Sequence, residues 1–138
     1  MTAHIPLLAD HKDAVGRLCN LGFRLQRANA ALREFLGMVT GTTPARAAFE
    51  LRGDRPRHFS DVTMTVSFTS PEGADPAAWS RSVVSLLPSG LRVEAERRLG
   101  RTTHLVLAPD GASGAYFVTM VCDLADGLYM RKIRDKKA

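Results

Sequence analysis

The stretch VCDLADGLYMRKIRD, residues 121–135, decides how the chain is assembled. Its centre, ADG at 125–127, is a short glycine-containing break. On its N-terminal side lies AYFVTMVCDL (115–124) and on its C-terminal side LYMRKIRD (128–135), both rich in aromatic and branched residues. Two such runs joined by a short turn read as a hairpin of antiparallel strands. On that reading Arg131 and Arg134 are strand or strand-end charges that keep a sheet edge from aggregating. Lys136 and Lys137 then lie beyond the last apolar position, Ile133.

Working back from that stretch, the pattern repeats. PDGASG (109–114) turns the chain out of TTHLVLA (102–108), and Gly100-Arg101 turns it out of LRVEAERRL (91–99). The spacing predicts four consecutive antiparallel strands. Before them, Asp75 and Pro76 are N-cap and first-turn residues of a helix that carries Trp79, Val83, Leu86 and Leu87 on one face and stops at Pro88 and Gly90. FSDVTMTVSFTS (59–70) alternates Val62, Met64, Val66 and Phe68 with Thr63, Thr65, Ser67 and Thr69, the period of a half-buried strand. TGTTPARAAFELRGD (40–54) reads as a short helix, with Thr43 as cap, Pro44 in the first turn and Gly53 as stop. Residues 10–38 read as an amphipathic helix, since Val15, Leu18, Gly22, Leu25, Asn29, Leu32, Leu36 and, just past its end, Val39 recur at steps of three and four. Its stripe fits a coiled-coil seam with Asn29 inward, or a helix lying on the protein's own sheet; its shortness favours the sheet.

The expectation is therefore an α+β domain spanning residues 1–138, with N-terminal helices packed on a curved, mainly antiparallel sheet in the order α-α-β-α-β-β-β-β, and with 1–9 and 135–138 as flexible ends. This order, together with the closing VCDLADGLYMRKIRD, resembles the nuclear-transport-factor-like superfamily, which includes ketosteroid-isomerase-like and polyketide-cyclase-like proteins. The resemblance implies a cone-shaped pocket between the sheet and the long helix, and dimers formed through the outer sheet face. It also implies an Asp, His or Tyr acid or base inside the cone. The first helix departs from that pattern, since Asn29 is the only polar residue central to its apolar stripe. Residues 76–138 also bear comparison with the double-stranded-RNA-binding order, which would require the last segment to be a helix. The acidic, glycine-ended CDLADG speaks for the hairpin.

The net charge of +5 is local. Residues 131–138 carry five basic side chains against Asp135, whereas the preceding 130 residues hold 14 basic and 13 acidic ones. A chain of this length can bury a core without a disulfide or metal. Cys19 and Cys122 fall in apolar patterns with no C-x-x-C spacing, which points to reduced thiols and a cytoplasmic setting. No secretion signal or membrane-spanning run is read in the sequence. The histidines, His4, His11, His58 and His104, show no metal-ligand spacing, and no nucleotide or nucleophile motif occurs, so neither a metal nor a cofactor is expected.

Three residues are candidates for acid-base chemistry: His104 within a strand, Asp123 at a strand end and Asp61 at a strand start. Asn29, Trp79, Tyr116 and Met120 are candidates for a pocket. Arg55, Arg57, Arg131, Lys132, Arg134, Lys136 and Lys137 form the basic set that nucleic-acid phosphates would require, with Arg97, Arg98 and Arg101 as a further group. The reading that follows is a binding or interaction domain that associates as a homodimer and takes a small molecule or a protein without catalysis. A cofactor-independent isomerase or cyclase and a nucleic-acid accessory protein are the alternatives.

Overall fold

The computed structural model describes residues 22–52 and 61–137. The side chains of 22–25 and 126–137 lie outside that description. The elements run α1 (Gly22–Thr40), β1 (Arg46–Leu51), β2 (Val62–Thr69), α2 (Pro76–Ser85), β3 (Leu91–Leu99), β4 (Thr102–Pro109) and α3 (Gly111–Lys137). The strands form one antiparallel sheet in the order β1-β2-β4-β3. The α+β class with an antiparallel sheet is thus as the sequence pattern requires.

The elements read from strong local signals form as expected. In β2, Val62, Met64, Val66 and Phe68 are fully buried. Asp75 caps α2 by accepting a hydrogen bond from the Ala78 amide at 3.2 Å, and Pro76 occupies its first turn. β3 and β4 pair as a hairpin closed at Leu99 and Thr102, with Gly100 at φ +60° in the turn. A positive φ at the first of two central residues suits the right-handed twist of the flanking strands.

Two segments differ from the sequence reading. RAAFEL (46–51) is strand β1, not a helix. Alanine favours helix only weakly as a local preference, and six residues are too few to separate a period of 3.6 from a period of 2. Pairing with β2 decides it, because Ala47 and Phe49 then enter the core while Arg46 and Glu50 stay in water.

The stretch 111–137 is the single helix α3, not two strands, and no closing hairpin forms. The buried positions Ala115, Val118, Cys122 and Ala125 are spaced three and four apart, with Phe117 and Val121 beside them. That is one apolar helical face, obscured by the strand-favouring types that compose it. Packing against α1 overrides those propensities, and the Phe35 and Phe117 rings meet edge to face at 5.4 Å. The predicted end at 135 also falls within α3, which continues to Lys137. A helix after β4 agrees with the last element of the RNA-binding order, but that order needs three strands and only β3 and β4 lie between α2 and α3.

The three described helices cover one face of the sheet. α1 lies along β1, where Asn29 Oδ1 accepts the Phe49 amide at 2.8 Å. The coiled-coil alternative assigned this side chain to another chain; here it satisfies the protein's own edge strand. α2 meets the same face through Trp79, whose ring lies 6.4 Å from that of Phe68. Gly90, just before β3, and Gly114, in the first turn of α3, meet backbone to backbone. A Cβ on Gly114 would stand 2.6 Å from the Gly90 carbonyl oxygen.

Candidate functional site

The other face of the sheet is open among the described residues, and its side chains fall into rows across the four strands. The first row is Glu50, Thr63, Ala108 and Arg92, the second Ala48, Thr65, Val106 and Ala95, the third Arg46, Ser67, His104 and Arg97. A fourth row continues with Thr69, Thr102 and Leu99. The alignment depends on a bulge. Val93 pairs with Leu107 but Ala95 pairs with Val106, so Glu94 is the extra residue. The shift turns Ala95, Arg97 and Leu99 to the open face and turns Glu96 and Arg98 to the other.

One end of this face is strapped. Arg52, just past β1, donates to Glu94 Oε2 at 2.8 Å, although β1 and β3 are opposite edges of the sheet. Three strand spacings of about 4.8 Å separate those edges. The extended side chains span that gap, and Arg92 adds contacts to Glu94 at 3.2 Å and to Asp110 at 3.5 Å. Thr63 and Ala108 in the first row are buried, although none of the described helices lies on this face. The Arg52 hydrogen bond is the main cause holding the Glu94 carboxyl below its ordinary range, desolvation opposing it and Arg92 reinforcing it.

Beyond the strap the face is open. Thr65, Ser67, Ala95, Arg97, His104 and Val106, with Val66, Glu96 and Leu105 between them in the strands, line a shallow depression of about 330 Å³. Ser67 Oγ and His104 Nδ1 lie 2.8 Å apart on its floor. Thr69 and Thr102 join their hydroxyls at 3.2 Å in the row beyond, and Thr65 Oγ1 lies 3.5 Å from a Glu50 oxygen.

The acid-base candidates do not converge. His104 stands on the open face. Asp61 precedes β2 at the strapped end, where its carbonyl accepts the Arg52 amide at 2.7 Å. Asp123 is exposed on α3, in the helical layer on the far side of the sheet. The four pocket candidates also stay apart. Asn29 serves β1, Trp79 packs on Phe68, and Tyr116 and Met120 are exposed at 57% and 46% on α3. Arg55 and Arg57 lie outside the described residues. Arg131, Lys132, Arg134, Lys136 and Lys137 follow one another along the end of α3, with side chains outside the description. Among the described residues no group of His, Cys, Asp and Glu is arranged as metal ligands, and no helix is long and apolar enough to cross a membrane.

Sequence reasoning singled out His104 but missed its partner Ser67. The Gly100-Arg101 turn does place Arg97 opposite His104, since counting back from Leu99 and Thr102 gives that pair. Ser67 comes from β2, which is not adjacent to β4 in the chain, and no local signal specifies that pairing.

No protein-family model matches this chain, and no curated protein and no solved structure matches it significantly.

Proposed function

We propose that this chain is a non-catalytic binding domain that takes a small molecule on the open face of its sheet. The observation that supports the reading is the depression on that face, floored by the Ser67–His104 pair. Its volume is at the small end of the range for ligand sites. Its centre is built from small and hydroxyl-bearing side chains, with charge confined to the edge strands.

A serine beside a histidine also raises nucleophilic catalysis. That chemistry works through a third group that orients the imidazole and through donors aimed at the developing oxyanion. Among the described residues no carboxylate hydrogen-bonds His104, and the pair projects from the middle of two strands onto a shallow surface. This supports recognition over turnover. The expected homodimer is part of the same reading, and sedimentation equilibrium over a concentration series tests it.

A fragment screen read by ¹H–¹⁵N correlation spectra tests the site. Hits should move the amides of Thr65, Ser67, His104, Val106 and Ala95. Hits confined to the helical layer, or none at all, would refute the reading.

A further inference from the structure

We infer that the open face holds the phosphate group of a small phosphate monoester, bound over the Ser67–His104 pair between Arg46 and Arg97. The inference rests on the binding reading above and names the chemistry of its ligand.

The third row supplies the donors. Ser67 Oγ and His104 Nδ1 share one hydrogen bond. If the serine donates, His104 carries its proton on Nε2, and that N–H faces outward. If the histidine donates from Nδ1, the serine O–H is released instead. Either tautomer leaves one donor for an acceptor lying above the pair. Nε2 makes no hydrogen bond to another described residue. The Thr69–Thr102 hydroxyl pair of the next row leaves one O–H by the same logic.

Arg46 and Arg97 close the row on its two sides. The other arginines around this face are engaged: Arg52 and Arg92 with Glu94, Arg101 with Glu72 and the Ser70 carbonyl. Arg46 and Arg97 make no ion pair and no side-chain hydrogen bond among the described residues. Their strands stand about 14 Å apart, three spacings. A guanidinium reaches roughly half of that, so both can converge on a group seated at the centre of the row. Of the carboxylates nearby, Glu50 is turned to Thr65 one row away, and Glu96, which borders the depression, pairs with Leu105 and so alternates to the opposite side of β3. An anion with several oxygens fits two guanidinium forks and one or two neutral donors. A cation would meet only repulsion there.

A small ester suits the site better than a nucleic-acid strand. The four rows contain no Phe, Tyr or Trp ring on which successive bases could stack, and His104 is already tied to Ser67. The second row, Thr65, Val106 and Ala95, forms a low apolar shelf beside the donors, of a size for a compact organic group.

The test is an NMR titration of the uniformly ¹⁵N-labelled full chain at low ionic strength. The probes are inorganic phosphate, phenyl phosphate and a short oligothymidylate, with sodium chloride at matched ionic strength as the blank. Saturable shifts centred on Arg46, Ser67, His104 and Arg97 are expected with phosphate. Phenyl phosphate should bind more tightly and add shifts at Val106 and Ala95. Arg97→Gln should weaken phenyl phosphate at least tenfold. Arg98→Gln, which removes the same charge from the opposite face, should leave it within twofold. Equal losses in both variants would reduce the effect to net charge and overturn the inference. So would shifts matching those of chloride, or oligothymidylate binding on these rows without the monoester. If the fragments of the previous section still map to this face while phenyl phosphate does not, the binding reading stands and the phosphate assignment falls.

Discussion

Gly90→Ala is the sharpest probe of the way the chain closes. A Cβ at position 90 would sit 2.5 Å from the Gly114 amide nitrogen and 2.6 Å from the Ser113 carbonyl oxygen. An ordinary contact begins near 3.4 Å, so the first turn of α3 must retreat by nearly 1 Å. Those obstacles are backbone, and no rotamer change relieves them. The retreat also strains the bond by which the Asp110 amide donates to the Gly90 carbonyl at 2.8 Å. Overpacking of a well-filled site costs roughly 1–3 kcal/mol, and a backbone neighbour puts this case at the upper end, about 3 kcal/mol. A domain of this size has on the order of 7–20 kcal/mol in total, so the variant should fold but unfold at a urea concentration lower by about 2 M. Gly73→Ala is the control: its φ is +86° but nothing stands within 4 Å of the new Cβ, leaving only left-handed strain of about 1–2 kcal/mol. Urea unfolding followed by Trp79 fluorescence and far-ultraviolet circular dichroism measures both. Were Gly90→Ala no worse than Gly73→Ala at an unchanged m-value, the packing of α3 onto the start of β3 would be refuted. The helical placement of 111–137 would lose its firmest support with it.

Thr103 Oγ1 and Ser80 Oγ are buried without hydrogen-bond partners beside a crevice under Trp79 too tight for a water. Thr103→Val should therefore raise stability by about 1 kcal/mol, read as a melting temperature about 3 °C higher; a lower melting temperature would mean the hydroxyl has a role. Asn29→Ala orphans the Phe49 amide and should cost about 1–3 kcal/mol. Hydrogen exchange at Phe49 should quicken with it, and unchanged exchange there would show that β1 does not depend on α1. Glu94 has a lowered folded-state pKa, so its contribution is complete above its ordinary value of 4.5 and is lost as pH falls through the lowered value. The melting-temperature gap between wild type and Glu94→Gln should be open near neutral pH and close in acid; a gap independent of pH would dissolve the strap.

The signals that read true in the sequence were those whose cause is local. Asp75 and Pro76 specify a helix start by their own chemistry, and the alternation through Val62–Thr69 specifies a half-buried strand wherever the rest of the chain lies. RAAFEL and AYFVTMVCDL failed for the complementary reason. Alanine tilts the first toward helix, and Tyr116, Phe117, Val118, Thr119 and Val121 tilt the second toward strand. Each preference is a fraction of a kcal/mol per residue, and tertiary burial outweighs it. The period was still present in the second segment, since Ala115, Val118, Cys122 and Ala125 recur as a helix face. It was hidden because small residues mark three of the stripe's positions between bulkier exposed ones, Tyr116 and Met120. The site was less legible than the fold. Arg46, Ser67, His104 and Arg97 come from all four strands, and only the His104–Arg97 pairing follows from a turn. The bulge at Glu94 alone decides that Arg97, and not Arg98, faces the open side.

An uncovered sheet face needs no explanation in itself, because antiparallel sheets tolerate water on one side. Its pattern does. A face meant only for solvent would gain from charges spread over every strand. Here the central strands β2 and β4 present Thr65, Ser67, Val106 and His104, while the arginines and glutamates stand on the edges. Four of the charged side chains, Arg52, Glu94, Arg92 and Asp110, are joined into a strap over the first row. They stiffen that end and neutralise one another. The remaining guanidinium groups, Arg46 and Arg97, belong to the third row, next to the outward donors of the Ser67–His104 pair. Positive charge without a local counterpart is thus concentrated where neutral donors already converge. On the phosphate reading proposed above, Arg46 and Arg97 would close from the two edges over the hydroxyl-imidazole floor, and an oxyanion on a small organic body is the simplest chemistry to meet that arrangement.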